Sequence, residues 1–225
     1  MKIAKNVEMM EIKAQGTYYP VLAWDDEDVL LFDTGLPGQF ELIKEEIGKC
    51  GFSPEQVTKV ILTHQDVDHI GNAKIFRDLG AEIMAHETET PFIQGDSPLT
   101  KLADMEAHID KLPPERLGFY KMLKAAAPGL YVHVDRPLKD GEIIPACGGI
   151  KVIHTPGHTP GHIALLLLES GILICGDAAN IADCELCGSN PMHTHDASDA
   201  ERSFGRIIST GARGYVCYHG GYLAE

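Results

Sequence analysis

Short apolar runs alternate with polar ones over residues 7 to 33. Tyr18 to Trp24 and Val29 to Phe32 are separated by the acidic turn Asp25-Asp26-Glu27-Asp28, a pattern that predicts an antiparallel strand meander. Over Gln39 to Cys50 the period lengthens: Phe40, Ile43 and Ile47 fall on one helical face, and Gly51 stands where a helix would be capped. Ser53-Pro54-Glu55-Gln56 reads as a helix start with proline at its first position, but the β-branched residues of Val57 to Leu62 turn the chain back into a strand. A helix from about Ile70 to Leu79, stopped at Gly80, and a strand Ala81 to Ala85 complete a unit of the size of a parallel crossover.

Residues 91 to 130 break this rhythm. Ser97 to Leu112 and Pro114 to Ala127 have helical composition, with Pro113-Pro114 between them and Pro128-Gly129 after, and a helical insert between strands is read as a lid, an oligomer surface or a sheet cover. A second β-rich half follows: Tyr131 to Val134, Ile150 to Ile153, and the pair Ile163 to Leu168 and Ile172 to Cys175, joined as a hairpin by Glu169-Ser170-Gly171. A last helix, about Asp199 to Ser209, leads into a strand Tyr215 to Tyr218.

At 225 residues, 44% hydrophobic and 23% charged, the chain has the composition of one globular domain. Its formal net charge of -14 disfavours nucleic acid and anionic membrane as partners. The N-terminus has no apolar stretch of signal-peptide length and the longest apolar run, Ile163 to Leu168, is too short to span a bilayer, so a cytoplasmic protein is expected. Six scattered cysteines fit reduced thiols better than a disulfide framework.

The chemistry concentrates in residues 63 to 70, Thr-His-Gln-Asp-Val-Asp-His-Ile, directly after a strand. Two imidazoles and two carboxylates (His64, Asp66, Asp68, His69) within six positions would repel or stay solvated unless cations neutralised them, and these are the usual ligands of zinc, iron and manganese. Alternation on an extended chain lets His64 and Asp66 share a side, while Asp68 and His69 fall where the chain turns into the next helix. Further candidates stand at other strand ends: His154, His158 and His162 in a Gly/Pro-fixed loop, Asp177 after Cys175-Gly176, and His219 after Tyr218.

The order His-x-x-x-Asp-His, Thr-Pro-Gly-His-Thr, Gly-Asp and a late His, preceded by Leu31-Phe32-Asp33-Thr34-Gly35, resembles the metallo-β-lactamase superfamily over essentially the whole chain. The resemblance implies an α/β (α+β) fold, a four-layer αββα sandwich, as one domain over residues 1–225 with the helical insert around 91–130. It also implies a dinuclear metal site at one edge of two sheets. His64, Asp66 and His158 would hold one metal, Asp68, His69 and His219 the other, with Asp177 bridging. The implied activity is hydrolysis of a small ester, lactone, thioester or lactam by a metal-bound hydroxide, with Asp68 orienting the attacking water.

One departure matters: the family's usual motif is His-x-His-x-Asp-His, and Asp66 replaces the second histidine. Three carboxylates and a bridging hydroxide would cancel the charge of two divalent ions, which favours manganese or iron over the zinc typical of the family. Asp66 could alternatively stand behind the ligands and leave the first site weak. A carboxylate there also resembles the diiron flavoproteins, so a redox di-iron protein is the alternative reading, and a phosphodiesterase a further one. The sequence runs six residues past His219, so neither the helical domain of glyoxalase II-like thioesterases nor a flavodoxin-like domain is expected. A small-molecule substrate and a homodimer are the expected partners.

Asp33 is either a turn residue or a hydrogen-bond anchor for a ligand histidine. His154 and His162 are expected to bond within the loop, and His86 to be structural. Cys184 and Cys187, followed by His193 and His195, have the residue types of a small zinc site at compressed spacing, with a plain loop beside the active site as the alternative.

Overall fold

The computed structural model describes residues 1–14 and 16–225. The first half of the chain contributes β1 (Lys2–Ala4), β2 (Val7–Met9), β3 (Ile12–Lys13), β4 (Thr17–Tyr18), β5 (Val21–Trp24), β6 (Val29–Phe32), α1 (Phe40–Lys49), β7 (Lys59–Leu62), α2 (Val67–Ile70), α3 (Ala73–Asp78) and β8 (Glu82–His86). The insert supplies α4 (Thr90–Gln94), α5 (Thr100–Ala107) and α6 (Pro114–Leu130), before β9 (Arg136–Leu138). The second half contains β10 (Ile143–Ile144), β11 (Ile150–His154), β12 (Ile163–Leu167), β13 (Ile172–Gly176), β14 (Ala179–Ala182), β15 (Glu185–Gly188), α7 (Ala197–Ser209), β16 (Gly214–Cys217) and β17 (Gly221–Ala224).

Two sheets carry the fold, one in the order β1-β2-β5-β6-β7-β8-β9 and the other β10-β11-β12-β13-β16-β17. Strict alternation of side chains explains how they stack. In β7, Ile61 points into the core between the sheets with Phe32, Met84, Val152, Leu165 and Ile174, whereas Val60 and Leu62 join the helix-covered core of Ile43, Ile47 and Phe76. In β13, Ile172 and Ile174 face the other sheet, and Leu173 and Cys175 pack with Ile207 of α7. Three apolar layers separated by two sheets give the αββα sandwich. The β6–β7–β8 pairings are parallel, as the crossover reading requires, and β12–β13 is the expected antiparallel hairpin.

Three local expectations are corrected. Tyr131 to Val134 is not a strand: the Val132 N–H donates to the Ile93 carbonyl and the Val134 N–H to Gln94 Oε1, so the end of α4 takes the bonds a sheet neighbour would have taken. Pro128 does not follow the second long helix but lies inside α6, in its last turn, where burial of Ala127 and Leu130 on either side outweighs one missing backbone bond. The helix expected from Ile70 is two helices, α2 and α3, split at Gly71 and Asn72, and α2 begins within the ligand motif. The Asn72 amide there donates to the carbonyls of Thr34 and Leu36, at 2.6 and 2.9 Å. Among the described residues no helix is long and apolar enough to cross a membrane.

Candidate metal centre

The ends of β6, β7, β13 and β16 and the loop between β11 and β12 meet at one edge of the sandwich. At the end of β6, Asp33 adopts φ +61° and is buried. Its carboxylate accepts from the Thr63 N–H and Thr63 Oγ1, both at 2.8 Å, and from His69 Nδ1 at 2.9 Å. Of the two readings of Asp33, the structure selects the anchor: it fixes both the exit from β7 and the histidine six residues on.

The opposing loop is held as firmly. Gly157, at φ +131°, lies so close to α7 that a Cβ would sit 2.3 Å from the Ala200 nitrogen, and the Asp196 N–H donates to the Gly157 carbonyl at 2.9 Å. His158 Nδ1 lies 3.2 Å from Ser189 Oγ. His162 bonds within the loop through Thr155 Oγ1 (2.9 Å) and accepts the Asp177 N–H at Nε2 (3.0 Å), so it places a candidate ligand without facing the centre itself. His154 bonds the Pro160 carbonyl at 3.1 Å and stacks on His86. Both are structural, as expected.

All seven candidates converge. The ligand atoms of His64, Asp66, His158 and Asp177 lie within 4.8 Å of one another, and so do those of Asp68, His69 and His219. Asp66 Oδ2 is 3.2 Å from His64 Nε2 and 2.9 Å from His158 Nε2. Asp177 spans the two groups, with Oδ2 at 3.5 Å from His158 Nε2 and 3.3 Å from His219 Nε2, and Oδ1 at 3.6 Å from His69 Nε2. Asp68 Oδ2 is 3.3 Å from His219 Nε2.

This arrangement fits divalent cations. His64, His69 and His158 each turn Nδ1 to a partner outside the cluster, which leaves Nε2 aimed inward. His69 Nε2 and Asp177 Oδ1 are buried with no hydrogen-bond partner, a costly state for polar atoms unless a metal uses their lone pairs. The field tells the same story. Burial opposes a charge on His69, yet Asp33, Asp177 and Asp68 hold its pKa well above the ordinary value, because their carboxylates need positive charge nearby. His64, pushed down to about 4 by burial and by His69, is neutral and available as a ligand at physiological pH.

Beside the cluster opens a cavity of about 1070 Å³. Asp66, Asp68, His158, Asp177 and His219 form its polar floor, and the insert supplies an apolar wall through Leu99, Met105, Leu112, Phe119, Met122 and Leu123. The insert is therefore part of the site. The suggested zinc site at Cys184 and Cys187 does not assemble: Cys184 is exposed in the β14–β15 turn, Cys187 Sγ donates to the Asn180 carbonyl, and His195 pairs with Asp104 at 3.0 Å. The alternative, a loop beside the active site, holds, since His193 and His195 line the cavity.

Sequence reasoning missed Lys101 and Glu89. Lys101 Nζ contacts Asp66 Oδ2 and lies 3.4 Å from His158 Nε2. Buried Glu89 accepts from the Gln65 N–H and side chain and from Thr159 and Gly161. Neither belongs to a local motif; only the fold brings them to the centre.

Comparison with known proteins agrees with the fold. Residues 16–219 match the metallo-beta-lactamase superfamily. The chain belongs to this superfamily of metal-dependent enzymes and is a metallo-hydrolase. It is 26% identical to the probable metallo-hydrolase YflN of Bacillus subtilis over 231 residues, covering 96% of this chain and 84% of the relative. It is also 26% identical to the hydroxyacylglutathione hydrolase GloC of Haemophilus influenzae over 160 residues, 69% of this chain and 64% of that one. The crystal structure of the metallo-beta-lactamase family protein TTHA1429 from Thermus thermophilus superposes with a TM-score of 0.78 at 26% identity, covering 99% of this chain and 76% of that one.

Proposed function

We propose that the protein hydrolyses a small ester, lactone or thioester whose acyl portion carries an apolar arm, with His64, Asp66, Asp68, His69, His158, Asp177 and His219 as the residues that hold its divalent cations. The observation that carries this reading is the joining of the carboxylate–imidazole floor to the apolar wall of α5 and α6 in one cavity. A scissile acyl group at the floor leaves its arm against Met105, Phe119 and Leu123. The similarity to a hydroxyacylglutathione hydrolase supports an acyl substrate.

When bound, divalent cations supply Lewis acidity towards an acyl oxygen and make water a stronger acid. The chain's own groups do the rest. Asp68, whose side chain is 19% exposed at the cavity floor, accepts a hydrogen bond from the attacking water and can carry its proton to the leaving group. Its backbone is held by Tyr218 Oη, which donates to the Asp68 carbonyl at 2.7 Å. His219, whose ring makes an edge contact with Tyr18, lies with Nε2 3.3 Å from Asp68 Oδ2.

The test is a panel of chromogenic esters, lactones and thioesters of increasing acyl length, assayed on protein loaded with manganese, iron or zinc. Hydrolysis whose kcat/KM rises with acyl length, and loses that dependence in Phe119→Asp, is the expected result. Failure to hydrolyse any member with any of the three metals would overturn the proposal.

A further inference from the structure

Lys101 is placed too deliberately to be a surface lysine that happens to reach the cavity. Gln65, between two candidate ligands in sequence, accepts the Thr100 N–H at Oε1 over 2.6 Å and so ties the first turn of α5 to the ligand loop. Gln65 is in turn fixed by Glu89, which takes its backbone N–H at 3.0 Å and its amide at 2.9 Å. Glu89 is itself held by Thr159 Oγ1 and the Gly161 N–H, each at 2.7 Å, from the loop that carries His158. This buried chain of hydrogen bonds delivers Lys101 Nζ to Asp66 Oδ2 and to within 3.4 Å of His158 Nε2.

The two halves of the centre therefore differ. The half made by His64, Asp66 and His158 contains an ammonium; among the described residues, neither Asp68 nor Asp177 pairs with a lysine or arginine. The three carboxylates Asp66, Asp68 and Asp177 call for three positive charges, which one divalent ion and one ammonium supply. An ammonium offers three donors and no coordination sites, so it satisfies Asp66 and excludes a metal from the same position.

We propose that Lys101 is the built-in cation of the His64/Asp66/His158 half. The protein then holds one divalent ion tightly through Asp68, His69, His219 and Asp177, and admits a second only by displacing the lysine. The inference rests on the metal-centre reading above and goes beyond it by ranking the two halves.

The experiment titrates metal-free protein with manganese or zinc by isothermal titration calorimetry, and counts bound metal by elemental analysis after gel filtration. Wild type is expected to bind one ion tightly and the second roughly 10- to 100-fold more weakly, the range a charge-assisted hydrogen bond supports. Lys101→Met and Lys101→Gln, one apolar and one polar neutral side chain, are expected to bind two ions tightly with the first affinity unchanged. Circular dichroism checks that each variant is folded. Two equally tight ions in wild type and in both variants would overturn the role of Lys101 and leave the metal centre standing. A wild-type protein that binds no divalent ion would overturn the metal centre itself.

Discussion

Asp33 shows how much one side chain settles. Its left-handed backbone lets the carboxylate reach back to Thr63 and across to His69, so the ring is oriented before any ligand arrives. Asparagine tolerates that backbone but cannot accept from all three donors. Asp33→Asn is therefore expected to keep the fold and weaken metal binding roughly 10- to 100-fold, measured by competition with a chelator. His86 makes a different contribution. It ends β8 of one sheet and stacks on His154 at the end of β11 of the other, with ring centroids 4.2 Å apart and planes 5° apart. Burial, then the neighbouring imidazole, push its pKa down from about 6.5 to about 4. Between those values the unfolded chain binds the proton that the folded chain refuses, so this contribution is present at pH 7 and is lost as pH falls towards 4. His86→Gln is expected to remove a pH-dependent loss on the order of 1 kcal/mol, seen as a shallower decline of urea stability between pH 7 and 5. An unchanged slope would count against it.

Among the elements, the short helix α2 carries Asp68 and His69 and depends on the glycine that ends it. A Cβ at Gly71 would lie 2.3 Å from the Gly35 carbonyl oxygen and 2.4 Å from the Pro37 nitrogen, both backbone atoms that cannot turn away. Gly71→Ala is expected to cost about 2–4 kcal/mol in urea unfolding and to weaken metal binding as well, because the loop it displaces also holds Thr34 against His69. The strand ends were legible from sequence because His64, Asp177 and His219 each sit within two residues of an apolar run of plain β character, as His64 does after Leu62. The insert was legible as two helical segments divided at Pro113-Pro114, which is where α6 begins. The separate short helix α4 and the passage of α6 through Pro128 follow from tertiary burial, which local composition does not report.

For the whole molecule, the decisive fact is that the candidate ligands come from both sheets: His64 to His69 follow β7 of one, and Asp177 and His219 follow β13 and β16 of the other. A bound cation joins two layers otherwise held by apolar contacts. Removing it with a chelator is expected to cost about 2.7 kcal/mol when the free ion is at a hundredfold excess over its Kd, a fall of roughly 5–10 °C in Tm by scanning fluorimetry. The αββα layering and the position of the centre were readable only through the resemblance that five motifs in order along the chain carry. Lys101 and Glu89 were not, since their partners lie 24 to 72 residues away in sequence and are brought close only by the packing of the insert. Glu89 also constrains how this sequence can drift. One carboxylate serves Gln65 beside the first ligands and Thr159 beside His158, so no one of these three positions can change polarity alone without stranding the other two. In a library that randomises 65, 89 and 159 together, folded survivors should appear as matched triplets, whereas libraries that vary one position at a time should return almost only the starting residue.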